Sequence, residues 1–305
     1  VQVDLFLPVT AFVFGLLIGS FLNVCIARLP NDESIATPRS RCPSCGHPIR
    51  WYDNIPLLSY ALLRARCRHC NHAISWHYPA IELFTGIWFA VVTSNVMGHL
   101  GLAGDAFARL IVHAVGDATL GSLLIALLVI DWKHHLLPNT LTIPGILLGL
   151  LFACAEAVFL GDNEGNVVLN HAPDINSAGA GRSPGNIFLT GPEHLIFSRL
   201  VAAVAAFLLL YLIRATYRKI RGRDGMGLGD AKLLAMIAAF LGFAPTALAL
   251  FAGLMLASLY GAVLLALRRA SSSTRLAFGS FLCAGGLLAA KYGEPVLENY
   301  RALFR

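Results

Sequence analysis

The sequence predicts an all-α polytopic membrane protein, with about eight transmembrane helices and a cytoplasmic zinc-binding loop. Three observations predict it. Of 305 residues, 57% are hydrophobic and only 13% charged, about half the charge of an ordinary soluble domain. Apolar runs approaching the roughly 20 residues needed to cross a bilayer recur along the chain. Lys and Arg gather in alternate connections between those runs, as positive-inside topology requires.

The runs cover about residues 5–27, 79–98, 108–130, 141–160, 194–213, 231–244, 246–267 and 276–290. The first continues through Leu22-Asn23-Val24 to a basic segment without a small-residue cleavage site, so it reads as a retained helix. The sixth and eighth are short. Gly242-Phe243-Ala244-Pro245 reads as a tight turn between the sixth and seventh. Residues 161–193, rich in Gly, Asn, Ser and Pro, read as a flexible outer loop. Residues 291–305 read as a tail that forms a short amphipathic helix at the outer surface. No internal repeat is read along the chain.

Orientation follows from charge. Arg28, Arg39, Arg41, Arg50, Arg64, Arg66 and Arg68 fall in the 28–78 loop and Lys133 in the 131–140 loop. Six further Lys and Arg occupy 214–232, and Arg268, Arg269 and Arg275 occupy 268–275. Eight alternating spans place all four connections on the cytoplasmic side and both termini outside. This bias accounts for the net charge of +6 without a nucleic-acid partner; the surroundings are membrane lipid.

Within the 28–78 loop, Cys42-Pro43-Ser44-Cys45 and Cys67-Arg68-His69-Cys70 form two CxxC hairpins. Such a pair can supply four thiolates to one tetrahedral zinc. The alternatives are two disulfides or four free thiols, and a reducing cytoplasm argues against disulfides. Four sulfurs leave no open coordination position, so this zinc is structural. His47, His69, His72 and His77 then read as packed or solvated. Cys25, Cys154 and Cys283, in or beside apolar runs, read as small buried residues.

Two carboxylates stand out at the cytoplasmic edge. Asp131 closes the apolar run 123–130 ahead of Leu137-Pro138-Asn139, and Asp230 ends Gly227-Leu228-Gly229-Asp230. Ionisable groups at membrane depth are costly and functional by default. Each has a competing reading: Asp131 as a polar helix end, Asp230 as a helix N-cap. Gly225, Gly227 and Gly229 allow close backbone approach, enough to admit an extended peptide. Two carboxyls at matching depth can share one proton, activate water and donate to a scissile carbonyl. Such a pair titrates as a unit, so acid and base are not assigned separately.

Other carboxyls fall elsewhere. Asp117 precedes Asp131 by fourteen residues, roughly 21 Å along a helix. Asp117, Glu156 and Arg199 share a depth and read as a buried ion-pair cluster. Glu82 lies near the depth of the pair, either orienting substrate or a helper group, or capping a helix start.

These residues, taken in order, resemble the bacterial type IV prepilin peptidases, inner-membrane GxGD-type aspartic proteases. The resemblance rests on Gly19-Ser20-Phe21-Leu22-Asn23-Val24 with Arg28-Leu29-Pro30, the two CxxC hairpins, Asn54-Ile55-Pro56 and Tyr78–Gly86. It includes Asp131 with Leu137-Pro138-Asn139, and Gly225 to Leu233. It implies an aspartic endopeptidase with Asp131 and Asp230 catalytic, supported by Gly227, Gly229, Lys232, Pro138, Asn139 and Glu82. It also implies structural zinc on Cys42, Cys45, Cys67 and Cys70. The division is then a first helix over 1–27, the zinc loop over 28–78, a peptidase core over 79–290 and the tail. The implied partners are prepilins or type II secretion pseudopilins, cut after a short basic leader at the cytoplasmic face of the inner membrane. Methylation of the new N-terminus by S-adenosylmethionine is implied by the resemblance alone, for no glycine fingerprint of a soluble methyltransferase is present. One run departs: where the family has Pro-Phe-Gly-Pro-Phe, this chain has Ala277-Phe278-Gly279-Ser280-Phe281. That bears on local rigidity and substrate preference. A peptidase without methylation, an ion-coupled transporter and a membrane-anchored zinc adaptor are the rival readings. Paired carboxylates at one edge, rather than at the midplane, argue against transport.

Overall fold

The computed structural model describes residues 2–97, 105–158, 192–222, 227–268 and 276–303. Its elements are helical: α1 (Gln2–Arg28), a 3₁₀ turn (Leu29–Asn31), a second (Trp51–Asn54), α2 (Leu58–Leu62) and α3 (His77–Met97). Then come α4 (Asp105–His134), α5 (Asn139–Val158), α6 (Pro192–Arg221), α7 (Leu228–Leu241), α8 (Phe243–Ala266) and α9 (Phe278–Ala302).

Seven of the eight apolar runs fall on long helices, and the sixth centres on the 14-residue α7. Five of these helices, α1, α4, α5, α6 and α8, are long and apolar enough to cross a membrane. Their outer faces carry Phe14, Leu17, Leu147, Leu151, Leu209, Leu212, Phe251 and Leu259 exposed. Apolar surface on that scale is suited to lipid.

α7 is the centre of the bundle. It touches α4, α5, α6, α8 and α9, and from Leu233 to Phe240 every residue is buried. A helix apolar all round belongs inside a protein. That explains its 14 residues: at 1.5 Å per residue it is roughly 21 Å long, and neighbours rather than lipid satisfy its surroundings. Buried Leu120, Leu124, Leu127 and Ile130 of α4 and Leu282 of α9 complete the core.

Several boundaries differ from expectation. α4 continues past Asp131 to His134, where His135 takes a positive φ of 51° and donates to the Asp131 carbonyl at 2.9 Å. α6 extends through Arg214, Arg218 and Lys219 to Arg221, so much of the expected basic loop is helix. The turn after α7 is Gly242 alone, at φ 81°, a conformation that glycine adopts without strain. Pro245 sits inside the first turn of α8, where the missing N–H costs no helical bond. α9 runs without a break to Ala302, so residues 291–302 continue the last long helix. Gly225, most of the 161–193 segment and residues 269–275 lie outside the described residues.

The expectation of no internal repeat is overturned in the cysteine loop. Arg41-Cys42, Cys45-Gly46-His47, Ile49 and Trp51 recur 25 residues later as Arg66-Cys67, Cys70-Asn71-His72, Ile74 and Trp76. The two copies fold alike. Arg41 bridges Pro48 and Arg66 bridges Ala73. The Cys42 N–H donates to the His47 carbonyl and the Cys67 N–H to that of His72, each at 2.9 Å. Gly46 and Asn71 both adopt positive φ. The repeat escaped notice because only its cysteines were read as a pattern.

Candidate active site

Asp131 and Asp230 arrive from different helices at one end of the bundle. Asp131 lies in the last turn of α4 and is 6% exposed; Asp230 lies in the first turn of α7 and is 8% exposed. Both flank Leu137: Gly229, beside Asp230, packs against that side chain, as does Gly279, which also packs against Asp131 Oδ2. Asp230 is not the N-cap of α7. Gly227 holds that position, and the Asp230 carboxyl reaches back to the Gly227 N–H, the reciprocal half of a capping box. Asp230 therefore secures the start of its own helix.

Leu137 is the wedge between the helices. A Cβ built on Gly229 would lie 2.9 Å from Leu137 Cβ, and one on Gly279 would lie 2.9 Å from both Leu137 Cδ1 and Asp131 Oδ2. Gly227 is less constrained: among the described residues its Cβ would meet nothing nearer than Asp230 Oδ2 at 3.6 Å. Overpacking costs about 1–3 kcal/mol. Gly229→Ala is accordingly expected to lower both melting temperature and activity, while Gly227→Ala stays near wild type; thermal melting in detergent with a cleavage assay checks both.

The supporting residues divide into two groups. Lys232 Nζ donates to Asn139 Oδ1 at 2.7 Å, tying the segment after Asp131 to the one after Asp230. The Pro138 carbonyl accepts from the Thr142 N–H and hydroxyl at 3.2 and 3.3 Å, which starts α5. Glu82 lies at the cysteine loop. Its Oε2 accepts from the Leu57 N–H at 2.9 Å, where Leu57 takes a positive φ of 56°. Glu82 thus anchors the cysteine loop to α3. Asn23 strengthens the same corner by donating to the Tyr78 carbonyl at 3.1 Å.

The four cysteines converge. The Sγ atoms of Cys42, Cys45, Cys67 and Cys70 all lie within 4.8 Å of one another, with Cys42 and Cys70 at 3.8 Å. Tetrahedral zinc with bonds of about 2.3 Å holds its sulfurs roughly 3.8 Å apart, so the donor set fits. Its electrostatics agree. N–H groups of Cys70 and His69 lower the Cys67 thiol to about 7. The His72 N–H favours the Cys70 thiolate, yet desolvation and the neighbouring sulfurs push that thiol up to about 12. Without a cation the sulfurs must share protons; a cation lets all four ionise. Around them, His47 stacks on His69 at 4.3 Å, and Arg68 binds Asp53 at 2.7 Å with its guanidinium over Tyr52. No histidine joins the described metal cluster.

The remaining polar cluster has a member that the sequence did not suggest. His113 Nδ1 lies 2.9 Å from Glu156 Oε1, and His113 Nε2 lies 3.5 Å from Asp117 Oδ2. Arg199 Nη2 reaches Glu156 Oε2 at 3.9 Å. His113 therefore links Asp117 to Glu156, and Glu156 links on to Arg199, joining α4, α5 and α6. Ser280 was also missed. It approaches Asp131 from the run that departs from the family pattern.

Relatives settle the family. The chain is 31% identical to a prepilin leader peptidase/N-methyltransferase of Stutzerimonas stutzeri, over 95% of this chain and 92% of the relative. Its counterpart in Pseudomonas aeruginosa is 30% identical, over 94% and 90%, and that of Neisseria gonorrhoeae 32%, over 94% and 91%. This chain belongs to the type IV leader peptidase family. Family profiles agree: the Bacterial Peptidase A24 N-terminal domain matches residues 13–96, and the Type IV leader peptidase family matches 118–172 and 184–264. As a family member it is a membrane enzyme of the A24 peptidases. No solved structure matches it.

Proposed function

We propose that this leader peptidase removes the short basic leader of type IV prepilins or type II secretion pseudopilins, with Asp131 and Asp230 activating water. The reading is supported by one observation: two buried aspartates, on separate helices, lie where α4 stops and α7 starts, on either side of Leu137. The ionised member of the pair takes a proton from water, and the resulting hydroxide bonds to the scissile carbonyl carbon. The protonated member gives its proton to the carbonyl oxygen. Collapse of the tetrahedral species breaks the C–N bond and returns a proton to the departing amine. The leader leaves with a carboxylate, the mature chain with a free amine.

We place the seven long helices and the short α7 in the bacterial inner membrane, with α7 enclosed and the pair at the cytoplasmic face. The support is charge. The ends of α1 and α6 and the segment around the cysteines carry the arginines, and positive residues remain cytoplasmic. Prepilin leaders are basic and lie on that side. Zinc held by the four cysteines closes the two hairpins and supplies no reacting position.

N-methylation with S-adenosylmethionine is the further activity that the relatives' names support. Two surface grooves lie on α6 (Leu209, Leu212, Ile213) and between α8 and α9 (Leu256, Tyr260, Phe281). Both are apolar and do not fit a charged sulfonium nucleoside, so no methyl-transfer step is assigned to them. The test is incubation of the enzyme in lipid with a prepilin-type substrate, followed by intact mass. The expected product lacks its leader and gains the mass of one CH₂ when S-adenosylmethionine is present. A leaderless product with no added mass establishes a peptidase alone. Intact substrate after exposure to folded enzyme contradicts the proposal.

A further inference from the structure

Asp131 is gripped from α9. Ser280, in the first turn of that helix, points two donors at one carboxyl oxygen. Its N–H lies 2.6 Å from Asp131 Oδ2, and its hydroxyl lies 2.9 Å from the same atom. The N–H is shared with the Ala277 carbonyl at 3.1 Å. Ser280 is 3% exposed, so these bonds form away from bulk water, where they are stronger and costlier to lose. Gly279 packs against Oδ2 on the same side.

The hydroxyl has a second neighbour. Ser280 Oγ lies 3.0 Å from the Leu128 carbonyl oxygen, one turn back along α4. A hydroxyl carries one hydrogen, and its oxygen can also accept; a backbone carbonyl only accepts. Two arrangements therefore fit the same atoms. With Asp131 ionised, the hydroxyl donates to Oδ2. With Asp131 protonated on Oδ1, the oxygen that meets the water, Oδ2 is the carbonyl oxygen of the acid and still accepts from the Ser280 N–H, while the hydroxyl either stays on Oδ2 or turns to Leu128. Ser280 keeps a hydrogen bond to Asp131 in both states, and no proton leaves the carboxyl through it.

We propose that Ser280 is the positioning residue of the water-activating pair. By donating to Asp131 Oδ2 from its N–H and its hydroxyl, it holds the carboxyl in one orientation through both protonation states and leaves Oδ1 to exchange the proton with water. This rests on the reading of Asp131 and Asp230 as that pair.

The test uses the full chain in lipid, with kcat and KM measured separately. Ser280→Ala keeps the N–H and loses the hydroxyl. It is expected to lower kcat roughly ten-fold or more, the worth of one buried hydrogen bond to a charged group, with KM unchanged. Ser280→Thr keeps the hydroxyl and restores kcat. Ser280→Cys, similar in shape but a weak donor, falls with alanine, and it carries the test if alanine misfolds. Wild-type kcat in either Ser280→Ala or Ser280→Cys overturns the proposal. So does a loss that threonine does not restore, or one confined to KM. Asp131→Asn run alongside separates the two layers. If it is inactive, the pair stands whatever the serine variants do; if it retains wild-type activity, the pair and this proposal fall together.

Discussion

Asp131→Asn and Asp230→Asn are each expected to lower cleavage by about 10³-fold or more, the scale of removing a group that moves protons in the transition state. Asparagine nearly preserves the shape of aspartate. At position 131 its amide oxygen can still accept from the Ser280 N–H, which now lies 2.6 Å from Oδ2. At position 230 the bond to the Gly227 N–H can likewise persist. What disappears is the exchangeable proton and the negative charge. The fall should therefore appear in kcat, with KM and melting temperature close to wild type, as for an interaction made in the transition state. A variant that melts early reports a structural role instead. A variant that cleaves at the wild-type rate removes that residue from the chemistry.

Loss of the metal should have the second large effect, of a different kind. The cysteine hairpins contribute few buried side chains; Cys42 is the one buried cysteine among the four. Structural zinc supplies about 10–16 kcal/mol of binding free energy in small peptides at neutral pH, more than such a loop obtains from its few contacts. One zinc per chain is expected by metal analysis. Strong chelation, or Cys42→Ser or Cys67→Ser, should leave the 40–76 segment open to protease while the helices keep their circular dichroism. Acid should release the metal for the same reason, because the ligands bind as thiolates. Cleavage should fall less than in the aspartate variants, since a closed four-sulfur shell offers water no position. A chain that contains no zinc, or whose loop resists protease equally with and without it, contradicts the assignment.

Much of this architecture was legible because bilayers impose simple demands. Eight apolar runs became eight helices, five of them long and apolar enough to cross a membrane, and the CxxC hairpins bring four sulfurs together. The misreadings have physical causes. The arginines of 214–221 suggested a loop, yet charge does not end a helix that has left the apolar layer, and α6 continues to Arg221. The brevity of α7 concealed its place, since residue count does not report that five neighbours enclose it. Asp230 looked like an N-cap because its sequence neighbours permit one, while the chain instead caps at Gly227. Ser280 could not be connected to Asp131 in advance, for 149 residues separate them. His113 came to bridge Asp117 and Glu156, and Glu156 to reach Arg199, only once three helices were packed. Depth along a helix could be counted from sequence; the direction each residue faces could not.

The central claim is that Asp131 and Asp230 act as one unit, and a double-mutant cycle on cleavage in lipid tests it most directly. Four enzymes are compared: wild type, Asp131→Asn, Asp230→Asn and the double variant. Residues that act together lose activity together, so the account predicts that the double variant is no slower than the slower single variant. If the two losses instead multiply, the aspartates act independently, and the shared water-activating pair is contradicted.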